Sequence, residues 1–211
     1  MATITLAITG ASGAAYGLRL LEQLLMAKQT VYLLVSAPAQ IVISMETNLK
    51  LSSHPATMQT ILSERYHAAP GQLHVLGREQ WMAPIASGSA VPQAMVICPC
   101  SSGTLAAIAN GLSRSLIERA ADVILKEQRK LILVHRETPL SVIHLENMLR
   151  LAKMGALILP ASPGFYHHPQ SVNDIVDFIV ARVLDHLAIA HHLLPPWGDK
   201  KKLSNKDVAE K

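Results

Sequence analysis

The stretch "TITLAITGASGAAYGLRLL", residues 3–21, joins an aliphatic run to a glycine turn and then to a helical pattern. The run predicts a buried strand, and the small residues Gly10, Ala11 and Ser12 predict a tight turn before the helix. Such a turn presents backbone N–H groups and the positive end of the helix dipole to a phosphate group. We therefore expect a phosphate-binding loop here; a tight turn without a ligand is the alternative.

The same alternation of strand and helix continues along the chain. Further aliphatic runs are "TVYLLVS", "LHVL", "AMVICP", "KLILVH" and "GALILP". Helical patterns lie between or after them, over residues 14–27, 37–47, 55–66, 102–110, 115–128, 140–154 and 171–190. The order predicts an α/β fold with a mostly parallel sheet wrapped by helices. Two long connections, 77–93 and 160–170, are predicted to cover a ligand.

Composition limits the function classes. Half of the 211 residues are hydrophobic but only 4% are aromatic, which is typical of aliphatic parallel sheets. We expect a single domain over 1–195 and a C-terminal tail over 196–211. Only 16% of the residues are charged, which favours a homo-oligomer. No apolar run could span a membrane, and we expect a cytoplasmic protein that binds neither membrane nor nucleic acid.

A second loop with polar side chains follows the fourth strand, in "VICPCSSGT", residues 96–104. Ser101, Ser102 and Thr104 surround Gly103 where a helix begins, so hydroxyls and free amides converge there. We expect them to hold a ligand, with plain helix capping as the alternative. The two cysteines lack a neighbouring base or cation and are interpreted as packing residues.

The second strand argues for a mononucleotide. A dinucleotide fold carries an acidic residue near the end of that strand to bind the ribose hydroxyls. Here the strand ends at Ser36, and no carboxylate follows until Glu46. A mononucleotide such as FMN needs only the phosphate loop and a ring pocket, so it is favoured over NAD.

Several charged residues lie where a ligand is expected. Arg136 and Glu137 follow the fifth strand, at the carboxyl edge where open α/β sheets bind ligands. Arg119 and Lys126 are seven residues apart and share a helix face. The alternative for Arg136 and Glu137 is a surface ion pair, and the alternative for Arg119 and Lys126 is a solvated helix face. In each of the pairs His167-His168 and His191-His192 the two side chains point apart in any regular element, so no metal site is expected.

Taken together, these motifs resemble the UbiX-type flavin prenyltransferases over almost the whole chain. The resemblance rests on "TGASGAAYGLRLL", "WMAPIASGS", "MVICPCSSGTLAAIANG", "LIERAADVILKE", "HRETPLSVIHLENMLRL", "LILPASPGFYH" and "LPPWG". It implies a Rossmann-like (flavodoxin-like) three-layer α/β/α sandwich that assembles as a dodecamer with FMN between subunits. The implied reaction joins the dimethylallyl group of dimethylallyl monophosphate to N5 and C6 of reduced FMN, without a metal. The product would serve a UbiD-type decarboxylase, including one in ubiquinone biosynthesis.

The resemblance also implies a role for each matching position. FMN would be held by Gly10, Ala11, Ser12, Ser36, Ser101, Ser102, Gly103, Thr104 and Arg136. The prenyl phosphate would be held by Ser87, Gly88, Arg119, Lys126, Tyr166 and Arg182, and the allyl group would be walled by Trp81 and Trp197. Catalysis would involve Lys126 and Tyr166. Glu137 would assist proton movement near the flavin N5, and Glu46 would reach in from a neighbouring subunit.

Two alternatives remain open. A flavin-dependent cysteine decarboxylase of the same superfamily would carry an Asn-containing signature where this chain has Ser102 and Gly103, and a His shortly before the fourth strand. This chain has neither feature. A non-catalytic flavin-binding subunit would use the same pocket without turnover.

Overall fold

The structure is a computed structural model that describes residues 2–195, and its centre is one parallel sheet. The six strands are β1 (Thr3–Ile8), β2 (Thr30–Val35), β3 (Leu73–Val75), β4 (Ala94–Cys100), β5 (Lys130–His135) and β6 (Leu157–Ile158). Their order is β3-β2-β1-β4-β5-β6, and every neighbouring pair is parallel. This is the strand order of the doubly wound Rossmann fold, and the predicted fold class is confirmed.

Seven α-helices lie in the described part of the chain. They are α1 (Ala14–Met26), α2 (Ala37–Glu46), α3 (Pro55–Tyr66), α4 (Ser102–Ala109), α5 (Leu116–Lys126), α6 (Val142–Lys153) and α7 (Val172–His186). Each coincides with one of the predicted helical segments. Serine caps explain several of the starts: Ser36, Ser101 and Ser115 each accept a hydrogen bond from an amide in the first turn.

The helices form one layer on each face of the sheet. Side chains of α1, α2, α3 and α7 pack with one face of β1 to β5 in a first aliphatic core. Side chains of α4, α5 and α6 pack with the other face in a second core. Because both faces are covered, β4 is buried at every position. The three-layer arrangement follows from these two cores.

An irregularity near the end of β4 separates the two cysteines. Residues two apart in a regular strand point to the same face, but the register of β4 against β5 shifts between Ile97 and Cys100. Cys98 therefore packs in the first core and Cys100 in the second. Burial raises the pKa of the Cys100 thiol to about 12 and also raises the pKa of Cys98. Both thiols behave as apolar packing groups, as their sequence context predicts.

Candidate active site

The site begins between β1 and β4, where successive strands stop being added on one side of β1 and start being added on the other. β1 and β4 are neighbours, but the helices that follow them lie on opposite faces, so the loops after these two strands open a crevice. The Thr9 hydroxyl donates to the Pro99 carbonyl at 2.8 Å and accepts from the Ser101 amide at 2.8 Å. Thr9 thereby joins the two loops that the sequence predicts to bind a ligand.

A cavity of about 440 Å³ lies in this crevice. Four of the predicted FMN-binding residues line it, namely Gly10, Ser36, Ser101 and Thr104. The same cavity is lined by residues that the sequence analysis did not assign to a site: Leu34, Val35, Ala37, Pro38, Leu76, Arg78, Ser115, Ile117 and Glu118. The lining combines polar and aliphatic groups, which suits a ligand with a phosphate and a ring system.

Three helices begin at this cavity, which makes it suitable for an anion. Ser36 caps α2, Ser101 caps α4 and Ser115 caps α5, and each caps its helix with its side-chain oxygen. The positive ends of three helix dipoles therefore point at one volume. Ser101 also lies 3.0 Å from the Thr104 hydroxyl. This donor set fits the phosphate of a mononucleotide.

Two glycines next to the cavity have different tasks. A Cβ at Gly10 would lie 2.5 Å from Cβ of Pro38, so Gly10 is required for the close approach of the first loop to α2. A Cβ at Gly103 would meet no atom within 4 Å. Gly103 therefore leaves open space in front of the first turn of α4, where a flat ring could lie.

The amides at the start of α1 do not follow the prediction. They were expected to hold a phosphate, but the Glu46 carboxylate accepts from the Gly13 amide at 2.9 Å and from the Ala14 amide at 2.8 Å. Burial raises the pKa of Glu46, but hydrogen bonds from Ser12 and these amides outweigh it, and the net pKa lies below its ordinary value. The α1 terminus is thus occupied by an anion of its own chain, because the last turn of α2 reaches it.

Arg136, Glu137 and Ser102 meet beside the cavity. The Arg136 guanidinium donates to the Ser12 carbonyl at 3.0 Å and lies 3.9 Å from Glu137. The Ser102 hydroxyl donates to Glu137 Oε2 at 2.9 Å. This bond, followed by one from the Thr138 amide, lowers the pKa of Glu137 below its ordinary value. Glu137 is therefore a carboxylate at neutral pH, as a group that accepts a proton must be.

A second group of predicted residues forms around the loop 86–90. Arg119 donates to the Ala86 carbonyl at 3.0 Å. A Cβ at Gly88 would lie 3.0 Å from Nζ of Lys126. The structure therefore brings Ser87, Gly88, Arg119 and Lys126 together, and the shared helix face of the two cations is confirmed. Arg119 also pairs with Asp122, one turn further along the helix, and Lys126 pairs with the adjacent Glu127.

Tyr166 and Arg182 are associated with α7 and not with the cavity. The Tyr166 ring packs edge-on against Phe178 of α7, with centroids 5.8 Å apart, and Arg182 is one turn further along that helix. Neither residue lines the cavity. Trp81 is 46% exposed, and Trp197 lies outside the described residues.

Arg78 is the cavity residue with the clearest chemistry that the sequence analysis missed. Its side chain is exposed and makes no ion pair with any described residue. The neighbouring Glu118, in contrast, accepts from the Arg114 amide at 2.6 Å. Arg78 lies in the long connection 77–93 that was predicted to approach a ligand, so its position in that loop was the available signal.

Metal-binding groups and membrane-spanning helices are both absent from residues 2–195. No group of three or more His, Cys, Asp or Glu side chains is arranged to hold a metal ion there. His167 stacks on Phe178 with ring centroids 5.4 Å apart, and His191 lies 3.0 Å from Asp185. None of the described helices is long and apolar enough to cross a membrane.

Comparison with known proteins places the chain in a family. Residues 1–184 match the family model described as Flavoprotein. The chain is 58% identical to the flavin prenyltransferase UbiX of Pseudomonas aeruginosa over 202 residues, covering 96% of this chain and 97% of that protein. It is 44% identical to the flavin prenyltransferase UbiX of Methanothermobacter thermautotrophicus over 197 residues, covering 93% of this chain and 96% of that protein.

Solved structures of UbiX proteins resemble this chain in fold as well as in sequence. A UbiX protein in complex with FMN and dimethylallyl pyrophosphate has a TM-score of 0.82 and 38% identity, covering 93% of this chain and 97% of that one. A dodecameric FMN-dependent UbiX-like decarboxylase from Escherichia coli O157:H7 has a TM-score of 0.79 and 40% identity, covering 90% and 96%. An FMN-dependent cysteine decarboxylase from thioviridamide biosynthesis shares the fold alone, at 15% identity. The chain belongs to the flavoprotein family and, within it, to the UbiX flavin prenyltransferases.

Proposed function

We propose that this chain is a metal-independent flavin prenyltransferase, which joins the dimethylallyl group of dimethylallyl monophosphate to N5 and C6 of reduced FMN. The relatives are named flavin prenyltransferases, and a related structure holds FMN with dimethylallyl pyrophosphate. One observation carries the proposal: Ser102, which holds the ionised Glu137, directly follows Ser101, which lines a cavity where three helices begin. The site thus offers an anion pocket and a base side by side.

The residues around the cavity would hold FMN. The capping serines Ser36 and Ser101 and the amides behind them suit its phosphate. Arg136 and the open space at Gly103 suit its ring, and Gly10 allows the first loop to come close. Bound reduced FMN would supply the nucleophilic ring positions that take the dimethylallyl group. The set implied by the resemblance is Gly10, Ala11, Ser12, Ser36, Ser101, Ser102, Gly103, Thr104 and Arg136, and Arg78 of the cavity lining would add a cation for the phosphate.

The cations around loop 86–90 would hold the prenyl phosphate. Breaking the allylic C–O bond builds negative charge on the leaving phosphate, and cationic donors stabilise that charge. Arg119 and Lys126 would exchange their present carboxylate partners for the phosphate, with Ser87 and Gly88 contributing a hydroxyl and an amide. Trp81 and Trp197 would wall the allyl group, whose developing positive charge is attracted to an aromatic face.

Tyr166 and Arg182 would complete this site from another subunit. Arg182 lies on α7 and Tyr166 packs against Phe178 of that helix, and neither lines the cavity of its own chain. Glu46 is proposed to approach a neighbouring site as well, for which its carboxylate would release the Gly13 and Ala14 amides of its own chain. An assembly is supported by apolar surface: Val142, Ile143, Leu145 and Leu149 on α6 are each at least 51% exposed. We propose a homo-oligomer, with the dodecamer of the Escherichia coli relative as the expected form.

The wider role is also a proposal. Residues 1–195 would form the flavin-binding domain and 196–211 a tail. Prenylated FMN would be released in the cytoplasm to a UbiD-type decarboxylase, including one of ubiquinone biosynthesis. Neither a membrane nor a nucleic acid is needed as a partner for this chemistry.

Mass spectrometry of the flavin tests the activity directly. The protein is incubated with reduced FMN and dimethylallyl monophosphate, and the flavin is expected to gain one five-carbon unit. Flavin of unchanged mass, with FMN binding intact, would instead indicate a non-catalytic flavin-binding subunit. Release of CO2 from a peptidyl-cysteine substrate would indicate the cysteine decarboxylase alternative.

A further inference from the structure

Behind Glu137 lies a buried histidine that the proposed mechanism does not use. His135 is the last residue of β5 and is 2% exposed. Its Nε2 lies 3.2 Å from the Ser102 hydroxyl, and that hydroxyl lies 2.9 Å from Glu137 Oε2. One hydroxyl therefore contacts both an imidazole and a carboxylate, in a line that runs from the edge of the site into the protein.

The arrangement arises from the tertiary structure of three elements. Ser102 opens α4, His135 ends β5, and Glu137 follows two residues later. β5 lies next to β4, the strand that leads into α4, so the end of β5 and the residues that follow it lie beside the start of α4. The hydroxyl of Ser102 is thereby placed between the two side chains.

The charges around His135 favour its neutral form. Burial and then the nearby His144 lower the pKa of His135, and Arg136 adds to this, while the Glu137 carboxylate acts in the opposite direction. His144 comes from α6, with ring centroids 6.2 Å apart. A neutral imidazole has one free lone pair and can accept a proton.

We propose that His135 is a positioning residue that relays protons for Glu137 through Ser102. The step requires the neutral tautomer of His135 with its proton on Nδ1 and a free lone pair on Nε2. A proton taken up by Glu137 Oε2 during prenyl transfer passes to Ser102 Oγ, while the Ser102 hydroxyl, which donates to Glu137 at rest, turns and gives its proton to His135 Nε2. Glu137 returns to the carboxylate and His135 becomes an imidazolium. One O–H bond breaks and one N–H bond forms in total, with no change of oxidation state. The inference rests on the proposed role of Glu137.

The kinetic test compares the wild-type protein with His135→Gln, which keeps a polar side chain that does not titrate. Single-turnover prenylation of FMN is followed from acid to neutral pH. In the wild-type protein the rate is lost as the pH falls through the pKa of His135, because an imidazolium cannot accept. In the variant we expect a neutral-pH rate lower by about tenfold, less than the 10²–10⁴-fold loss on removing a direct base, and an acid midpoint that moves to lower pH.

A purely structural role would give another result. It would lower the rate at every pH and leave the acid midpoint unchanged, which would overturn the inference, as would a variant with the wild-type rate. Glu146→Gln is the matched control, since it removes one exposed charge from α6, beside His144, without touching the relay. It should leave both rate and midpoint unchanged.

A second measurement needs neither FMN nor the histidine variant. The pH dependence of deuterium exchange at the His135 ring carbon, read by mass spectrometry, reports its pKa in the FMN-free protein. Glu137→Gln should lower that pKa, because the carboxylate favours the imidazolium, and Glu146→Gln should not. An unshifted pKa would overturn the inference. Failure of the wild-type protein to prenylate FMN would instead overturn the proposed function, and the two failures are thus distinguishable.

Discussion

Replacing Gly103 by alanine should separate the stability of the protein from its ability to bind flavin. A Cβ at this position meets no atom within 4 Å, and the backbone there is not in the left-handed region. Alanine also restricts the unfolded chain more than glycine does, which stabilises a protein by about 0.4–1 kcal/mol. In a chain of this length 1 kcal/mol corresponds to about 2–4 °C. FMN-free Gly103→Ala should therefore melt about 1–4 °C above the wild-type protein.

The same methyl group should weaken the binding of FMN. It would project into the open space in front of α4, where we place the flavin ring. Forcing one extra carbon into a close-packed contact costs about 1–3 kcal/mol, which corresponds to about 5- to 150-fold in affinity. Flavin fluorescence titration measures this change. Melting with added FMN should show a smaller ligand-induced shift than in the wild-type protein at the same protein concentration.

Gly10→Ala provides the contrasting control. Its Cβ would lie 2.5 Å from Cβ of Pro38, so this variant should lose stability before any FMN is added. Two results would refute the reasoning about Gly103. One is a Gly103→Ala protein that binds FMN with wild-type affinity, because the flavin would then lie elsewhere. The other is a loss of stability in its FMN-free form, because the space would then not be open.

Three further predictions use the same structure. Arg78→Ala should weaken FMN binding about tenfold by removing a charge-assisted contact but leave riboflavin binding unchanged, and equal losses in fluorescence titrations would contradict a phosphate contact. The pKa of Glu46 is depressed, so its carboxylate stabilises the fold at neutral pH and this stability is lost as the pH falls through the folded pKa. Glu46→Gln should then flatten the acid side of the melting temperature against pH, and an unchanged slope would argue against the contact. Because Cys98 and Cys100 are buried with raised pKa values, a thiol reagent should modify them only on unfolding, and rapid modification of the folded protein would contradict their packing role.

The exposed apolar residues on α6 have a consequence for all these assays. Val142, Ile143 and Leu149 lie on a helix whose buried residues are few, Asn147 and Leu151. Such a surface is unfavourable in water and is typical of contacts between subunits. Variants should therefore be compared at one protein concentration, since assembly and stability are linked by mass action.

Secondary structure could be predicted closely from local patterns. Six of the seven described helices begin at a Ser cap or just after a glycine turn, and α3 begins at Pro55. The predicted bounds differ little from the observed ones because capping and periodicity act within a few residues. The sixth strand was less well predicted: "GALILP" contributes only Leu157–Ile158 to the sheet. This strand has a neighbour on one side alone, so its length depends on pairing that local sequence does not encode.

The predicted FMN-binding residues that line the cavity lie near a strand end, and their role in binding stays a prediction. Ser36, Ser101 and Thr104 each follow a strand and line the cavity, because parallel strands end at the same edge of the sheet. Arg78 and Ser115 were missed as cavity residues. They come from a long connection and from a helix start, whose positions relative to the crevice depend on how α5 packs over the sheet.

The sequence by itself determined the alternation of strands and helices, the two loops with free amides and hydroxyls, and the family. Only the tertiary structure decided which groups meet. Glu46 reaches the amides of Gly13 and Ala14, although the prediction gave these amides to a phosphate. Ser102 lies between His135 and Glu137, more than thirty residues further along the chain. Local rules act over one or two turns, whereas these contacts follow from the strand order, which places β1, β4 and β5 side by side.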